Sequence, residues 1–249
     1  LALEALVDLF KSNLLPPDRL LIPLEARPLK DHGVGEGNDN QSKNTKNSKK
    51  KKKTQEESDG ASSSNNMSKL DVLWCFEAEL KARFSQLLQH ITAALNDNSA
   101  EYRKFAVDLA ANLLESRPEQ ESTLLSMCVN KLGDRDRKVA SRAMYRLQLL
   151  LQAHSAMAHT IVKYVQSFFA RPHLPPRALY NGIVFLNQIY IGRGDSALAA
   201  SLVSTYLGLF ERAVEAGNLK SRLLAALLTG VARAQPYIAL ADLVAGSSS

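Results

Sequence analysis

The stretch RKFAVDLAANLL at residues 103–114 recurs 34 residues later as RKVASRAMYRLQ at residues 137–148. In both copies a turn that contains aspartate comes first, and a basic residue and a small apolar residue open a leucine-rich helix. Helix pairs that repeat with a period of about 20–50 residues build solenoids, and this placing of the turn aspartate and the basic residue is the HEAT type of pattern. The repeat predicts an all-α fold, an α-solenoid of HEAT/armadillo-like helical repeats.

On both sides of the repeat, apolar residues return every three or four positions, as they do on the buried face of a helix. Short breaks rich in Pro, Gly, Asn and Asp separate these segments, and no alternating strand pattern occurs. Short loops between helices fit a helical bundle as well as a solenoid, and the repeat favours the solenoid. Helices are predicted over residues 70–95, 100–115, 118–132, 136–152, 155–170, 176–191, 196–216 and 219–234.

Composition divides the chain into three segments. Residues 1–29 are expected to form an N-terminal helix and an extended, proline-containing segment that lies along the helical body. Residues 30–69 contain almost no large apolar residue, so burial cannot offset the entropy of ordering, and a disordered, lysine-rich insertion is predicted. Residues 70–249 form the predicted HEAT-like domain. Because the chain begins inside an apolar pattern, we expect it to be a fragment of a longer protein.

The net charge of +6 comes mostly from the insertion, since residues 43–53 contain seven lysines and no acid. Five of these lysines are consecutive: Lys49, Lys50, Lys51, Lys52 and Lys53. A run of like charges repels itself and adds nothing to a core, which indicates nuclear localisation or RNA contact. A solubilising loop is the other interpretation.

A second group of basic residues lies at helical spacing in the second copy of the repeat. The group is Lys131, Arg135, Lys138, Arg142 and Arg146, and the last four line one side of the predicted helix. Such a stripe can bind nucleic-acid phosphates, because each neutralised phosphate releases counterions. The alternative is a solvated helix face with ladder pairs of aspartate and arginine, as between HEAT repeats.

Sequence signals for catalysis and metal binding are absent. The five histidines and two cysteines show no CxxC, HxxxH or HExxH spacing, which argues against a zinc site. No GxxxxGK[ST] motif occurs, and no nucleophile, base and orienting residue are grouped. We therefore expect no metal, no cofactor, no small-molecule substrate and no enzyme activity.

Two further expectations concern the environment of the chain. No apolar run reaches the roughly 18 residues that a membrane span needs, so no membrane contact is expected. Cys75 and Cys128 both lie in apolar helical patterns, where a free thiol packs as a small core residue. Free cysteines in such positions indicate a reducing compartment.

Aromatic and amide residues are assigned mainly to packing. Most aromatic residues fall on apolar helix faces, and Tyr102, beside Arg103, is the one candidate for stacking on a nucleic-acid base. Asn187 and Gln188 lie among apolar residues, where their side-chain amides are predicted to bond the backbone of a neighbouring helix.

Several blocks of sequence, in order, resemble one known family. They are RPEQESTLLSMCVNKLGDRDRKVASRAMYRLQLLLQAHSAM at residues 117–157, FLNQI at 185–189, LAALLTGVARAQPY at 224–237, LEALVDLFKSNLLPPDRLLIPLEARPL at 3–29 and WCFE at 74–77. Together these blocks are similar to the CCAAT-binding-factor / nucleolar-complex family of ribosome assembly proteins. The resemblance spans most of the chain outside the insertion.

This resemblance implies a protein of the nucleus and nucleolus that acts on early precursors of the large (60S) ribosomal subunit. It also implies pre-rRNA, a second nucleolar-complex protein and other assembly factors as partners. The leading hypothesis is a non-catalytic scaffold that holds pre-rRNA and these proteins together.

Two alternatives stay open. One is a CCAAT-box DNA-binding transcription regulator, which the family name suggests although no helix-turn-helix, basic zipper or zinc-finger spacing occurs. The other is a protein-only HEAT adaptor.

Overall fold

Every regular element that the computed structural model describes is helical, and it describes residues 2–27, 69–217 and 220–246. These ranges contain no strand, so the all-α prediction is confirmed. The α-helices are α1 (Ala2–Leu9), α2 (Lys69–Leu95), α3 (Ala100–Ser116), α4 (Glu121–Asn130), α5 (Arg137–Ala153), α6 (Ala158–Phe169), α7 (Pro176–Leu186), α8 (Ser196–Glu215) and α9 (Ser221–Gly246). A π-helical turn at Phe10–Leu14 and 3-10 turns at Leu24–Ala26, Lys131–Gly133 and Ser155–Met157 complete the elements.

The chain divides into two compact units, residues 1–21 with 82–249 and residues 22–81. In the second unit, Arg27 forms an ion pair with Glu77, and its guanidinium lies 5.3 Å from the centroid of the Trp74 ring. The predicted insertion lies outside the described residues except for Lys69, which begins α2. The predicted division into residues 1–29, 30–69 and 70–249 therefore stays a prediction.

In the larger unit the N-terminal segment is tied to residues about a hundred positions later. The buried carboxylate of Glu119 accepts a hydrogen bond of 2.8 Å from the backbone amide of Leu21. The guanidinium of Arg117 donates to the backbone carbonyl of Lys11, with a distance of 2.7 Å from Nε. Phe10 packs against Phe84, with ring centroids 5.5 Å apart. These contacts hold the segment up to Leu21 against the helical body, and the placing of the extended stretch that follows stays a prediction.

Helix starts follow local capping chemistry. The Asp136 carboxylate accepts a hydrogen bond of 2.7 Å from the amide of Lys138 and so caps α5. Ser99 caps α3 in the same way through the amide of Tyr102. Pro176 occupies the first turn of α7, where its missing amide hydrogen costs nothing.

The helices pack in two interleaved series. Helix α3 packs against α5, and α7 packs against α9; between them α4 contacts α6, and α6 contacts α8. Some consecutive helices also pair: α3 with α4, α4 with α5, α6 with α7 and, most extensively, α8 with α9. The largest fully buried side chains of the described residues are Tyr206, Phe84, Phe185, Ile91, Leu113, Leu124, Leu125, Leu132, Leu147, Ile161, Ile183 and Leu186.

Two helix ends differ most from the prediction. Helix α7 ends at Leu186, and the guanidinium of Arg233 donates to the backbone carbonyls of Asn187 and Ile189 beyond its end. These bonds satisfy carbonyls that would otherwise need a further helical turn. Helix α9 runs past Pro236 to Gly246, because the apolar pattern of residues 237–244 continues at helical spacing.

Two other expectations are wrong. Cys75 is exposed, since Trp74 and Glu77 turn towards Arg27 and Cys75 lies on another side of α2. Helix α8 has the length and composition that a membrane span requires, although no such segment was expected. Its buried residues Leu198 and Leu202 belong to a face that packs against α6 and α9, as in the core of a helical domain.

A close approach of α8 and α9 occurs at Gly230. A Cβ atom added there would lie 2.5 Å from the ring of Tyr206 and 2.6 Å from Oδ1 of Asn187. The Asn187 amide donates a hydrogen bond of 2.8 Å to the carbonyl of Ala226 in α9, which confirms the predicted amide clamp for Asn187. The Gln188 side chain is exposed and makes no hydrogen bond to a described residue, so the prediction is wrong for Gln188. Because Tyr206 is fully buried, its ring has no room to move aside.

We expect Gly230→Ala to lower the free energy of unfolding by about 1–3 kcal/mol, because the added methyl overpacks this contact. Gly208→Ala is the matched control, since no atom lies within 4 Å of a Cβ at Gly208 in α8. The control should be neutral or stabilising by up to about 1 kcal/mol. Urea unfolding of both variants measures the difference, and equal stabilities would contradict the close contact.

The two cysteines should react differently with alkylating reagents. Burial raises the pKa of the Cys128 thiol to about 12, whereas Cys75 is exposed. At pH 8 we expect iodoacetamide to modify Cys75 in the folded protein and to modify Cys128 only after denaturation. Mass spectrometry of the two peptides measures this, and labelling of both at one rate would contradict the buried position of Cys128.

Candidate nucleic-acid interface

The predicted basic stripe lies where α5 and the turn before it face α3. Lys131 is in the 3-10 turn after α4, Arg135 follows in the same connection, and Lys138 opens α5. Arg142 and Arg146 lie further along α5, beside α3. The structure therefore places the five residues along one edge but gives them very different surroundings.

The strongest contact at this edge joins Arg103 of α3 to Asp134 of the turn. The guanidinium donates from Nε and Nη2 to the two carboxylate oxygens, each at 3.0 Å. From Nη1 it donates at 2.9 Å to the carbonyls of Asp97 and Asn98 in the loop before α3. Both side chains of the pair are only 4% exposed, so this is a buried, bidentate ion pair with additional hydrogen bonds.

Lys131 belongs to the same buried group. Its ammonium donates at 2.6 Å to the carbonyl of Leu95, the last residue of α2, and lies 3.4 Å from Asp134. Burial lowers the pKa of Lys131, and the neighbouring Asp134 opposes that shift. Burial alone would raise the pKa of Asp134, but hydrogen bonds from Arg103 and from the amide of Asp136 outweigh it and lower the pKa.

Arg142 and Arg146 form a ladder with acids of α3. Arg142 donates from Nε to Asp108 at 2.7 Å, and this hydrogen bond raises its pKa. Arg146 lies 3.7 Å from the same carboxylate and 3.5 Å from Glu115, and it donates to the side-chain amide oxygen of Asn112. This geometry is the ladder of the alternative interpretation, and phosphate contact by these arginines stays a prediction.

The remaining two residues of the stripe are exposed. Arg135 donates from Nη2 to the carbonyl of Asn98 at 3.1 Å. The Lys138 side chain makes no hydrogen bond or ion pair with a described residue. Of the five predicted residues, Lys138 therefore has the side chain that is most open to an external ligand. The predicted lysines, Lys49 to Lys53, lie outside the described residues.

The candidate for base stacking is partly engaged. Tyr102 is 42% exposed, and its ring lies nearly parallel to that of Phe105, with centroids 6.2 Å apart. One face of the ring is thus covered by the protein. Among the described residues, no three His, Cys, Asp or Glu side chains form a group that could bind a metal ion.

Basic residues outside the predicted stripe lie around α6. A groove of about 210 Å³ between α4 and α6 is lined by Ser126, Val129, Asn130, Lys163, Tyr164, Ser167 and Arg171. Residues 137–194 contain eight arginines and lysines and no aspartate or glutamate. Helical spacing within single helices does not reveal this groove, but a count of acids along the chain would have pointed to the region.

Comparison with known proteins was made by sequence. No family model matches the chain. It is 32% identical to the CCAAT/enhancer-binding protein zeta of Mus musculus, over 69% of this chain and 16% of the relative. It is 30% identical to the ribosome biogenesis protein NOC1 of Chaetomium thermophilum, over 97% of this chain and 25% of that protein. It is 28% identical to the nucleolar complex protein 1 of Drosophila melanogaster, over 91% of this chain and 17% of that protein.

The chain belongs to the CCAAT-binding-factor / nucleolar-complex family. The resemblance drawn from the sequence blocks is thereby confirmed. The names of the family members refer to the nucleolus and to ribosome biogenesis, which confirms the predicted location in the nucleus and nucleolus. The chain spans 16–25% of the length of these relatives.

In this nucleolar-complex chain, removal of the Arg103 side chain should cost much more stability than removal of its neighbour. We expect Arg103→Met to lower the free energy of unfolding by about 3–5 kcal/mol, because Asp134 loses its buried partner. Lys104 is the control, since its 3.3 Å pair with Glu101 is exposed, and Lys104→Met should cost less than about 1 kcal/mol.

Chemical unfolding at neutral pH measures both variants. Similar losses would show that the buried pair contributes no more than the exposed one.

Proposed function

We propose that this chain is part of a non-catalytic scaffold that binds pre-rRNA and partner assembly factors during nucleolar assembly of the large (60S) ribosomal subunit. The observation that carries the proposal is the similarity to relatives named for ribosome biogenesis and the nucleolar complex. By analogy with the family, the partners are pre-rRNA, a second nucleolar-complex protein and other assembly factors. The scaffold acts by positioning these molecules, without covalent chemistry.

We also infer that α3–α9 form an α-solenoid of HEAT-like pairs. Packing of alternate helices supports this, since α3 contacts α5, α4 contacts α6, α6 contacts α8 and α7 contacts α9. In a helical solenoid each repeat stacks on the next through both of its helices, which gives this alternation. The Asp–Arg ladder between α3 and α5 supports the same arrangement. A solenoid offers a long surface on which several partners can bind at once.

Charge supports RNA as one of the partners. Of the eight cations in residues 137–194, only Arg142 and Arg146 form ion pairs with described residues. The other six are Arg137, Lys138, Lys163, Arg171, Arg177 and Arg193. Cations without an acidic partner attract polyanions and give binding that weakens with salt.

The name of the mouse relative favours a second candidate function, that of a CCAAT-box DNA-binding regulator. It differs from the scaffold in requiring sequence-specific readout of a duplex, which needs an exposed element that reaches base edges in a groove. The protein-only adaptor differs in requiring no nucleic acid at all.

Crosslinking in cells tests the scaffold. We expect the tagged full-length protein to crosslink to precursor RNA of the large subunit and to enrich it over other abundant RNAs. Absence of such RNA, with protein partners still recovered, would contradict the proposal in favour of the protein-only adaptor. A purified protein that prefers a CCAAT duplex over a scrambled duplex, and binds RNA no better, would favour the DNA-binding regulator.

A further inference from the structure

We propose that the groove between α4 and α6 binds the phosphate backbone of RNA, an inference that rests on the proposed scaffold function and gives it a location. The groove is lined by six polar or charged side chains: Ser126, Asn130, Lys163, Tyr164, Ser167 and Arg171. None of them is acidic, and two are cations. Hydroxyl, amide and cationic groups are those that contact phosphate oxygens in nucleic-acid complexes.

Most of the polar side chains of the groove have no hydrogen-bond partner among the residues that the structure describes. The side chains of Ser126, Asn130, Tyr164 and Lys163 make no hydrogen bond to any residue that the structure describes. Ser167 differs, since its hydroxyl donates at 3.0 Å to the carbonyl of Lys163 in the preceding helical turn. The groove therefore holds several donors beside one another that water or a ligand must satisfy.

Arg171 is held beside the groove by an aromatic ring. Its guanidinium lies 5.5 Å from the centroid of the buried Phe168 ring. The Phe168 ring in turn abuts Gly133, where an added Cβ would lie 3.0 Å from it. A guanidinium stacked on a ring keeps its N–H groups at the edge, so Arg171 can still donate to an anion.

The charge around the groove is positive over a wider area. Arg177, at the start of α7, donates from Nη1 to the carbonyl of Arg135 at 3.5 Å, which brings two more cations together at the α4–α5 turn. The two acids of that turn are engaged internally: Asp134 is paired with Arg103, and Asp136 caps α5. A strand of RNA that leaves the groove at this end would meet cations.

The neighbouring groove between α6 and α8 provides a contrast. It is larger, at about 580 Å³, but all of its polar side chains except that of Ser204 are already paired. Gln166 donates to the hydroxyls of Ser201 and Thr205 at 2.9 and 2.8 Å, and Arg212 donates to the carbonyl of Phe169 at 3.2 Å. A ligand would have to displace these bonds, whereas the α4–α6 groove offers unused donors.

Binding of a fluorescein-labelled single-stranded RNA to the purified full-length protein tests the groove. We expect the double variant K163E/R171E to weaken binding by about tenfold or more near 0.1 M salt, with a less negative slope of log K against log salt. For single strands each lost phosphate contact should change that slope by about 0.7, so the loss of two contacts predicts about 1.4.

The matched control is K220E/R222E, which changes the net charge equally at exposed residues that do not line the groove. This control should weaken binding by less than about threefold and keep the slope of the wild type. The uncharged variant S126A/N130A should weaken binding with the slope nearly unchanged, because it removes hydrogen bonds and no charge.

The outcomes distinguish an error in the proposed groove from an error in the proposed scaffold function. Equal losses in K163E/R171E and K220E/R222E, or no loss in the former, would overturn the groove while wild-type RNA binding upholds the scaffold. A wild type that binds no RNA would overturn both. If K163E/R171E lost a protein crosslink in cells and kept its RNA crosslinks, the groove would be a protein-binding site and the proposal wrong. Circular dichroism confirms that each variant is folded.

Discussion

The buried guanidinium of Arg103 is the constraint on which the rest of the described structure depends. It joins the loop before α3 to the turn before α5, and it does so with two bonds to Asp134 and two to backbone carbonyls. Buried charges are costly unless every donor and acceptor is satisfied, so this pair tolerates few alternative arrangements of the two connections. The position of α5 against α3, and with it the ladder from Asp108 to Arg142, follows from this contact.

The ladder has an electrostatic effect on the rest of the chain. Acids of α3 neutralise Arg142 and Arg146, and the acids of the α4–α5 turn are used by Arg103 and by the cap of α5. The helices that follow contribute cations without acids until Asp195. Positive potential therefore remains around α6, where alternate helices meet and leave a groove. The same helix packing that pairs most of the predicted stripe with protein groups leaves hydrogen-bond donors unpaired on another surface.

Much of the fold could be predicted from the sequence, because helix periodicity and capping are local properties. The aspartate cap of α5 and the starts of α3 and α7 all follow from nearby residues. The end of α7 could not be predicted, since it depends on Arg233, which is far away in sequence. Whether the arginines of the basic stripe are paired depends in the same way on α3, where Asp108 lies 34 residues before Arg142. The α4–α6 groove could not be predicted either, because it depends on which helices meet.

The N-terminal segment also has a consequence for the order of folding. The amide of Leu21 finds its acceptor in Glu119, 98 residues later, and Arg117 reaches back 106 residues to Lys11. During synthesis at about 5–20 residues per second, these acceptors and donors emerge roughly 5–20 seconds after the segment they hold. Until then residues 1–21 have no completed docking surface. This segment is thus synthesised before the residues that hold it, and it reaches its final place only after they have been made.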